Sequence, residues 1–285
     1  MILITGSTGK TGGEVARQLA AAAVPFRALV RNPDKAAEIS ALGAELIVGD
    51  IADQAFLSTA LQGIEKAFLV LPNDEQQLVL EKNFTAACAA TGVQHLVYLS
   101  SLESVPESKN PITQNHVAAE NYIRESGMAW TIMRPTFFNQ NFETYAPRIR
   151  EAGQIVMPVG SGTVSATDLR DVGAVIREVL TKPGHENKSY DLTGPELLTF
   201  AEIAERFSKV LGTPVEYIDQ PMEEFAELLR TIGLSEWRVD AVCRELEAIG
   251  AGVVDHTTDT IEELLGRPPI SLEQYISDHI HLYQA

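Results

Sequence analysis

The chain has 285 residues, 45% of them hydrophobic, and a formal net charge of −17, from 22 Lys and Arg against 39 Asp and Glu. That length and composition indicate a globular protein of one large domain or two smaller ones. The acidic balance disfavours nonspecific binding to nucleic acid or to acidic membranes, and we expect neither as a partner.

Targeting features and cysteine usage predict a cytoplasmic protein. Met1 leads directly into a predicted strand, which leaves no room for a signal peptide, and no apolar run has the length of a membrane span. Cys88 and Cys243 lie far apart in helical patterns and do not suggest a disulfide framework. The histidines lack zinc-ligand spacing, so we expect no metal, and we expect a monomer or a homodimer.

Strands and helices are predicted to alternate through the first half of the chain. Strands are predicted at 2–4, 26–30, 45–48, 66–71, 95–99 and 130–134, and helices at 13–23, 33–42, 53–61, 75–91 and 113–126. Short apolar strands alternating with helices are typical of a parallel sheet covered on both faces. We therefore predict an α/β, Rossmann-type doubly wound parallel sheet.

The alternation ends after Arg134, where glycines and prolines mark turns. A strand is predicted at 154–157, a helix at 168–181 and a seventh sheet strand at 189–192. Beyond 199 the pattern is mainly helical, with helices at 200–211, 222–232, 236–249, 258–265 and 272–282 and a brief strand at 215–218. We predict a nucleotide-binding domain at 1–152, with 168–192 returning to its sheet, and a smaller, mainly helical substrate-capping domain at 153–285.

A glycine-rich turn, Thr5-Gly6-Ser7-Thr8-Gly9-Lys10-Thr11-Gly12, joins the first strand to the first helix. Glycine lets the backbone approach a ligand closely, and a helix N-terminus directs free N–H groups at an anion. The spacing is G-x-x-G-x-x-G, and a phosphate loop of nucleoside triphosphatases is excluded because Ile4 stands where its first glycine is required. The turn therefore predicts a dinucleotide site, with a plain tight turn as the alternative.

Arg31 ends the second strand, nineteen residues after Gly12. Folds that prefer NAD usually carry Asp or Glu near this position, for the ribose hydroxyls. A guanidinium pairs instead with a 2′-phosphate, and Lys35 could add positive charge near that phosphate. The sequence thus favours NADP(H), unless Arg31 is an ordinary solvated arginine.

The chain resembles the NmrA-like group of atypical short-chain dehydrogenases/reductases over nearly its whole length. Besides the glycine turn, the resemblance is carried by Arg31-Asn32-Pro33, Gly49-Asp50, the segments 95–101 (HLVYLSS) and 133–139 (MRPTFFN), and Gly266-Arg267-Pro268-Pro269. The group includes NADPH-dependent quinone oxidoreductases, triphenylmethane and azo dye reductases, and non-catalytic NADP(H)-sensing regulators.

The resemblance implies a set of cofactor contacts. The turn would line the phosphates, Arg31 would hold the 2′-phosphate, and Asp50 would lie near the adenine unless its carboxylate only serves the local turn. Leu71 and Pro72 would form a dry wall beside the ribose and nicotinamide. The full expected set is Gly6, Thr8, Gly9, Lys10, Thr11, Gly12, Arg31, Asp50, Leu71, Pro72, Ser100 and Pro135.

The Tyr-x-x-x-Lys pair of standard short-chain dehydrogenases is absent, and His116 and Glu120 occupy its expected place. Their spacing puts both on one helix face. His116 could donate a proton or orient the substrate, with Glu120 holding its tautomer or touching the ribose. The alternative is a local helix contact that lines the cofactor groove.

Residues after the sixth strand are expected to contact the acceptor. Aromatic rings can stack on a flat molecule, although such rings more often belong to a core, and Asn139 could hydrogen-bond a quinone oxygen. The candidates are Phe137, Phe138, Asn139, Phe142 and Tyr145. We predict an NADPH-dependent reductase that transfers hydride to a quinone-like or other conjugated aromatic acceptor; the alternative is a non-catalytic NADP(H)-sensing regulatory protein of the NmrA type.

Overall fold

A seven-stranded sheet dominates the computed structural model, which describes residues 1–284. The strands, in chain order, are β1 (Ile2–Ile4), β2 (Phe26–Val30), β3 (Glu45–Val48), β4 (Lys66–Leu69), β5 (His95–Leu99), β6 (Ala129–Pro135), β7 (Gln154–Met157), β8 (Thr163–Val164), β9 (Lys188–Leu192), β10 (Leu198–Thr199) and β11 (Glu216–Asp219). The large sheet has the order β3-β2-β1-β4-β5-β6-β9, and its first six strands pair in parallel. This confirms the predicted Rossmann-type fold, with β9 as the predicted seventh strand.

The order of the strands places the ligand-binding edge. Ile2 pairs with Phe26 of β2 on one side and with Lys66 of β4 on the other, so the chain reverses its direction of winding at β1. Ligands of such sheets bind beyond the carboxyl ends of the strands at this switch point. The loops that follow β1, β2 and β4 therefore meet at one place.

Helices cover the sheet and make up most of the remaining chain. In chain order they are α1 (Lys10–Ala21), α2 (Ala37–Ala41), α3 (Gln54–Ala60), α4 (Gln77–Thr91), α5 (Pro111–Arg124), α6 (Ala146–Ala152), α7 (Leu169–Thr181), α8 (Phe200–Leu211), α9 (Met222–Thr231), α10 (Glu236–Gly250), α11 (Thr260–Leu265), α12 (Leu272–Asp278) and α13 (Ile280–Tyr283). Short 3-10 turns occupy Pro33–Ala36 and Asn139–Tyr145. Within the described residues, no helix combines the length and apolarity needed to cross a membrane.

Several element boundaries follow from local chemistry. Asn32 and Asp53 accept hydrogen bonds from backbone N–H groups at the starts of the segments that they cap, as their residue types predict. The fourth strand ends at Leu69 rather than at 71, because Thr5 Oγ1 pairs with the backbone N–H and carbonyl of Val70. The single helix predicted at 272–282 is two helices, interrupted at His279, whose backbone leaves the helical region (φ −114°, ψ 21°).

Two compact units divide the chain. The first contains residues 1–106, 112–134 and 172–191, and the second contains 107–111, 135–171 and the chain from Leu192 onward. Residues 135–152 thus group with the second unit, although the sequence assigns them to the first domain. In the first unit, Leu3, Phe84, Tyr98 and Ile123 belong to one fully buried core cluster on the sheet.

Candidate functional site

The glycine-rich turn is shaped by two close backbone approaches. The N–H of Gly9 donates to the carbonyl of Gly6 at 2.9 Å. Gly6 has a φ of +60°, and a Cβ there would stand 2.8 Å from the carbonyl oxygen of Val70. A Cβ on Gly12 would overlap the carbonyl of Gly6. Only glycine therefore lets the turn pass this tightly between β1, β4 and α1.

The N-terminus of α1 is open to a ligand. Gly9 is the N-cap residue, and no side chain caps the helix. The first N–H groups of a helix have no partner within the helix, and its dipole favours an anion there. The glycine turn and the helix start thus form a cradle suited to a pyrophosphate.

An open groove of about 460 Å³ runs along this cradle. Ten of the twelve residues predicted to bind the cofactor line it: Gly6, Thr8, Gly9, Lys10, Thr11, Gly12, Arg31, Asp50, Leu71 and Pro72. The groove is also lined by Thr5, Leu29, Val30, Ile51, Val70, Asp74 and Leu80, which the sequence did not single out. Thr5, Val30 and Val70 end a parallel strand or follow one directly, and that position is the feature that could have identified them.

The far end of the groove presents an unpaired cation. The Arg31 side chain is exposed and makes no hydrogen bond or ion pair with residues 1–284. Asp50 Oδ1 accepts from the backbone N–H of Ala52 at 2.9 Å, so the local turn role of Asp50 is present as well as its place in the groove. A phosphate cradle with a separate free guanidinium fits a dinucleotide that carries a 2′-phosphate.

Glu120 lies in a network with two arginines. Arg134 donates to both of its carboxylate oxygens, at 2.9 and 2.5 Å, and Arg124 Nη2 lies 2.8 Å away. Ser100 Oγ donates to Glu120 at 2.6 Å. Burial opposes ionisation of Glu120, but the hydrogen bonds from Arg134 and Ser100 outweigh it, and the pKa of Glu120 falls below its usual value. Glu120 is therefore a fixed anion.

Ser100 and Pro135 do not belong to the lining of the described groove. Ser100 is buried between Glu120 and Ser104, whose hydroxyl lies 3.0 Å away. Pro135 is also buried and belongs to the second unit. A role for either residue beside the cofactor stays a prediction.

His116 has a different partner from the one its sequence spacing suggests. Its Nδ1 lies 2.7 Å from the hydroxyl of Tyr98 on β5, and no hydrogen bond joins it to Glu120 within residues 1–284. The interpretation of Glu120 as the group that holds the His116 tautomer is therefore corrected, because the arginines and Ser100 occupy its carboxylate. Burial lowers the pKa of His116 to about 4, so the imidazole is neutral at pH 7.

Tyr98 connects His116 to a buried acid on α4. Its hydroxyl lies 3.1 Å from each carboxylate oxygen of Glu81, and Gln77 Nε2 donates to Glu81 at 3.0 Å. Burial raises the pKa of Glu81 to about 8, against the opposing effect of those hydrogen bonds. Roles for Glu81 and Tyr98 were not predicted from the sequence. The available sign was a Gln and a Glu four residues apart within a helix of buried apolar residues.

Phe142 belongs to a core and not to an acceptor surface. It is 0% exposed, and its ring lies 5.4 Å from those of Phe137 and Phe207 and 6.4 Å from that of Phe200, between ring centroids. Its neighbours leave no open face for a ligand, so the expectation that Phe142 stacks on an acceptor is corrected. Phe137 is 8% exposed and packs in the same cluster.

The other predicted acceptor residues in the second unit are two half-buried aromatic residues and one buried asparagine. Phe138 and Tyr145 are half-buried. Asn139 is 0% exposed, and neither its amide nitrogen nor its oxygen has a partner within residues 1–284. The hydroxyls of Thr136 and Thr167 are likewise buried and unpartnered there. A buried polar group without a partner is costly.

The chain is similar in sequence and in fold to known proteins. The sequence profile of the NmrA-like family matches residues 1–275. The chain is 38% identical to the NAD(P)H azoreductase of Xenophilus azovorans over 100% of both chains, and 30% identical to quinone oxidoreductase 2 of Escherichia coli over 99% of both. It superposes with a TM-score of 0.87 on the Citrobacter triphenylmethane reductase complexed with NADP(H), at 29% identity over 98% of this chain and 99% of that one.

Proposed function

Given that this chain belongs to the NmrA-like family, we propose that it is an NADPH-dependent reductase that transfers hydride to a quinone-like or other conjugated aromatic acceptor. The similar proteins named above act on azo, quinone and triphenylmethane compounds, which share extended conjugation. A conjugated acceptor spreads the electron pair of the hydride over several atoms. It therefore needs no strong acid in contact at the start of the transfer.

The groove of the first unit accounts for the cofactor preference. The turn from Gly6 to Gly12 and the open N-terminus of α1 take the pyrophosphate, and the unpaired Arg31 takes the 2′-phosphate. Leu71 and Pro72 supply an apolar wall that excludes water. When bound, the reduced nicotinamide supplies the hydride; the protein supplies binding, orientation and electrostatics. The unpaired Arg31 at the end of an anion-binding groove is the observation that carries this proposal.

The remaining predicted residues have assigned roles in the same proposal. His116 is the proton donor, since its ring is neutral and its Nε2 has no hydrogen-bond partner within residues 1–284. Glu120 is a positioning residue, because it orients Ser100 and Arg134 as an anion. Phe138 and Tyr145, which are half-buried, contact the acceptor. A contact from the unpartnered amide of Asn139, which is 0% exposed, stays a prediction.

Anaerobic stopped-flow measurement tests this proposal. NADPH oxidation is followed at 340 nm with a panel of quinones, azo dyes and triphenylmethane dyes. We expect saturable turnover with at least one class of acceptor and a strong preference for NADPH over NADH. Tight NADPH binding with no turnover in the whole panel would refute the reductase and favour the NADP(H)-sensing alternative.

A further inference from the structure

Three buried side chains form a continuous chain of hydrogen bonds in the first unit. Glu81 of α4, Tyr98 of β5 and His116 of α5 are 1%, 0% and 6% exposed. The Tyr98 hydroxyl stands between the carboxyl group of Glu81, at 3.1 Å, and Nδ1 of His116, at 2.7 Å. Three elements thus place an acid, a hydroxyl and an imidazole in a row.

The number of hydrogens restricts how this row is bonded. Tyr98 has one hydroxyl hydrogen, so it donates either to Glu81 or to His116 but not to both. If Glu81 is protonated, it donates to Tyr98, Tyr98 donates to Nδ1, and the imidazole carries its hydrogen on Nε2. If Glu81 is ionised, Tyr98 donates to the carboxylate, Nδ1–H donates to Tyr98, and Nε2 is bare. The protonation state of Glu81 therefore sets the tautomer of His116.

We propose that Glu81, Tyr98 and His116 form a proton relay, in which Glu81 stores the proton that Nε2 of His116 delivers. This inference rests on the proposed reductase function, since hydride transfer to a quinone or an azo acceptor leaves an anionic oxygen or nitrogen on it. The Nε2–H proton passes to that anion or to a water beside it, the Tyr98 proton moves to Nδ1, and the Glu81 proton moves to the Tyr98 oxygen. No group of the relay is oxidised or reduced, and solvent later returns one proton.

The surrounding charges favour a protonated Glu81 at neutral pH. Asp74, which precedes α4, adds a negative charge that favours the protonated form of Glu81, and burial acts in the same direction. On α5 and β6, Glu120 is an anion paired with Arg124 and Arg134, so it holds its charge and does not exchange the proton. Burial also keeps His116 uncharged, so it acts by changing tautomer and not by becoming a cation.

Histidine NMR tests the relay without any acceptor. The protein, with and without NADP⁺, is labelled with ¹⁵N-histidine and titrated from pH 6 to 9.5, and the His116 resonances are assigned with His116→Gln. We expect the Nε2–H tautomer below about pH 8 and the Nδ1–H tautomer above it, following the pKa of Glu81. Glu81→Gln cannot ionise and should show one tautomer throughout, whereas Glu14→Gln, which alters a buried carboxyl group on α1, should keep the switch. A single tautomer in the unaltered protein would overturn the relay.

Turnover measurements separate the relay from a purely structural role. Because Glu81 must be protonated for the relay to work, we expect the activity of the unaltered enzyme to fall about tenfold per pH unit above pH 8. In Glu81→Gln and Tyr98→Phe, this decrease in activity above pH 8 should be absent. Their rates at pH 7 should fall about 10- to 100-fold, with unchanged NADPH affinity. A structural role predicts that Glu81→Gln, which resembles the neutral acid, keeps its rate, and that result would overturn the relay.

The two readouts also distinguish this inference from the proposed function. Turnover without a tautomer switch would overturn the relay alone. A tautomer switch with no turnover of any acceptor would overturn the reductase and, with it, the delivery of the proton. Circular dichroism and thermal unfolding of each variant establish that it is folded.

Discussion

Replacing Arg31 with alanine should convert a strong preference for NADPH into a weak one. The Arg31 side chain has no partner within residues 1–284, so its removal frees no buried group and breaks no ion pair there. The loss is then the interaction with the 2′-phosphate itself. Hydrogen bonds to charged groups contribute about 1.5–3 kcal/mol, and each 1.4 kcal/mol corresponds to a tenfold change in affinity.

Exposure reduces that figure, because salt screens exposed charges over a Debye length of about 10 Å at 0.1 M. We therefore expect NADPH affinity to fall about tenfold to thirtyfold at 0.1 M salt, and the loss to shrink as salt is added. NADH, which lacks the 2′-phosphate, should lose less than about threefold. Lys35→Ala, the matched control, removes another exposed cation and should cost less than Arg31→Ala.

Titration of nicotinamide fluorescence with each dinucleotide measures all of these values. Arg31→Lys keeps the charge but not the bidentate geometry, so it should fall between the alanine variant and the unaltered protein. Equal losses for NADPH and NADH would refute the assignment of Arg31 to the 2′-phosphate. So would an arginine effect that does not depend on salt.

Further predictions concern the turn, the buried acid and the aromatic residues. Gly12→Ala should weaken NADPH binding by more than tenfold in the same titration, because its Cβ overlaps the carbonyl of Gly6; an unchanged affinity would show that the turn relaxes freely. The raised pKa of Glu81 means that folding stability is lost as pH rises from the unfolded pKa of about 4.3 to the folded value of about 8, so in urea unfolding the stability advantage of Glu81→Gln should grow over that range and level off above it. Phe142→Ala should cost about 3–5 kcal/mol of stability, measured by the same method, because it empties a core site. Phe138→Ala, at a half-buried position, should instead lower acceptor turnover with a stability loss below about 1.5 kcal/mol; the reverse pattern would exchange their roles.

Local patterns were sufficient to predict most of the residues of the glycine-rich turn that line the groove. Gly6, Gly9 and Gly12 are close in sequence, and the strand before them and the helix after them follow from neighbouring residues. Arg31 and Asp50 could be added because parallel strands bring their carboxyl ends to one edge. Val70 and Leu80 line the same groove, but no motif marks them, because apolar residues of this kind occur throughout the chain.

The hydrogen-bond partners of His116 and Glu120 could not be predicted from sequence spacing. His116 and Glu120 are four residues apart on α5, and helix geometry alone suggests that they interact. Their actual partners, Tyr98 for one and Arg134 for the other, come from neighbouring strands 18 and 14 residues away. Long-range partners compete with local ones. Glu120 pairs with the arginines because a charge-assisted, two-point contact is stronger than a single hydrogen bond to His116.

The sequence by itself therefore determined the fold class, the glycine-rich turn and the strand-end position of Arg31, since each depends on short-range spacing or on the regular order of parallel strands. Tertiary structure alone decided that Phe142 is core, that Glu120 is held by arginines, and that Glu81 is a neutral buried acid joined through Tyr98 to His116. Burial and distant partners set the charge and the hydrogen-bond direction of a side chain, and neither is encoded in its near neighbours.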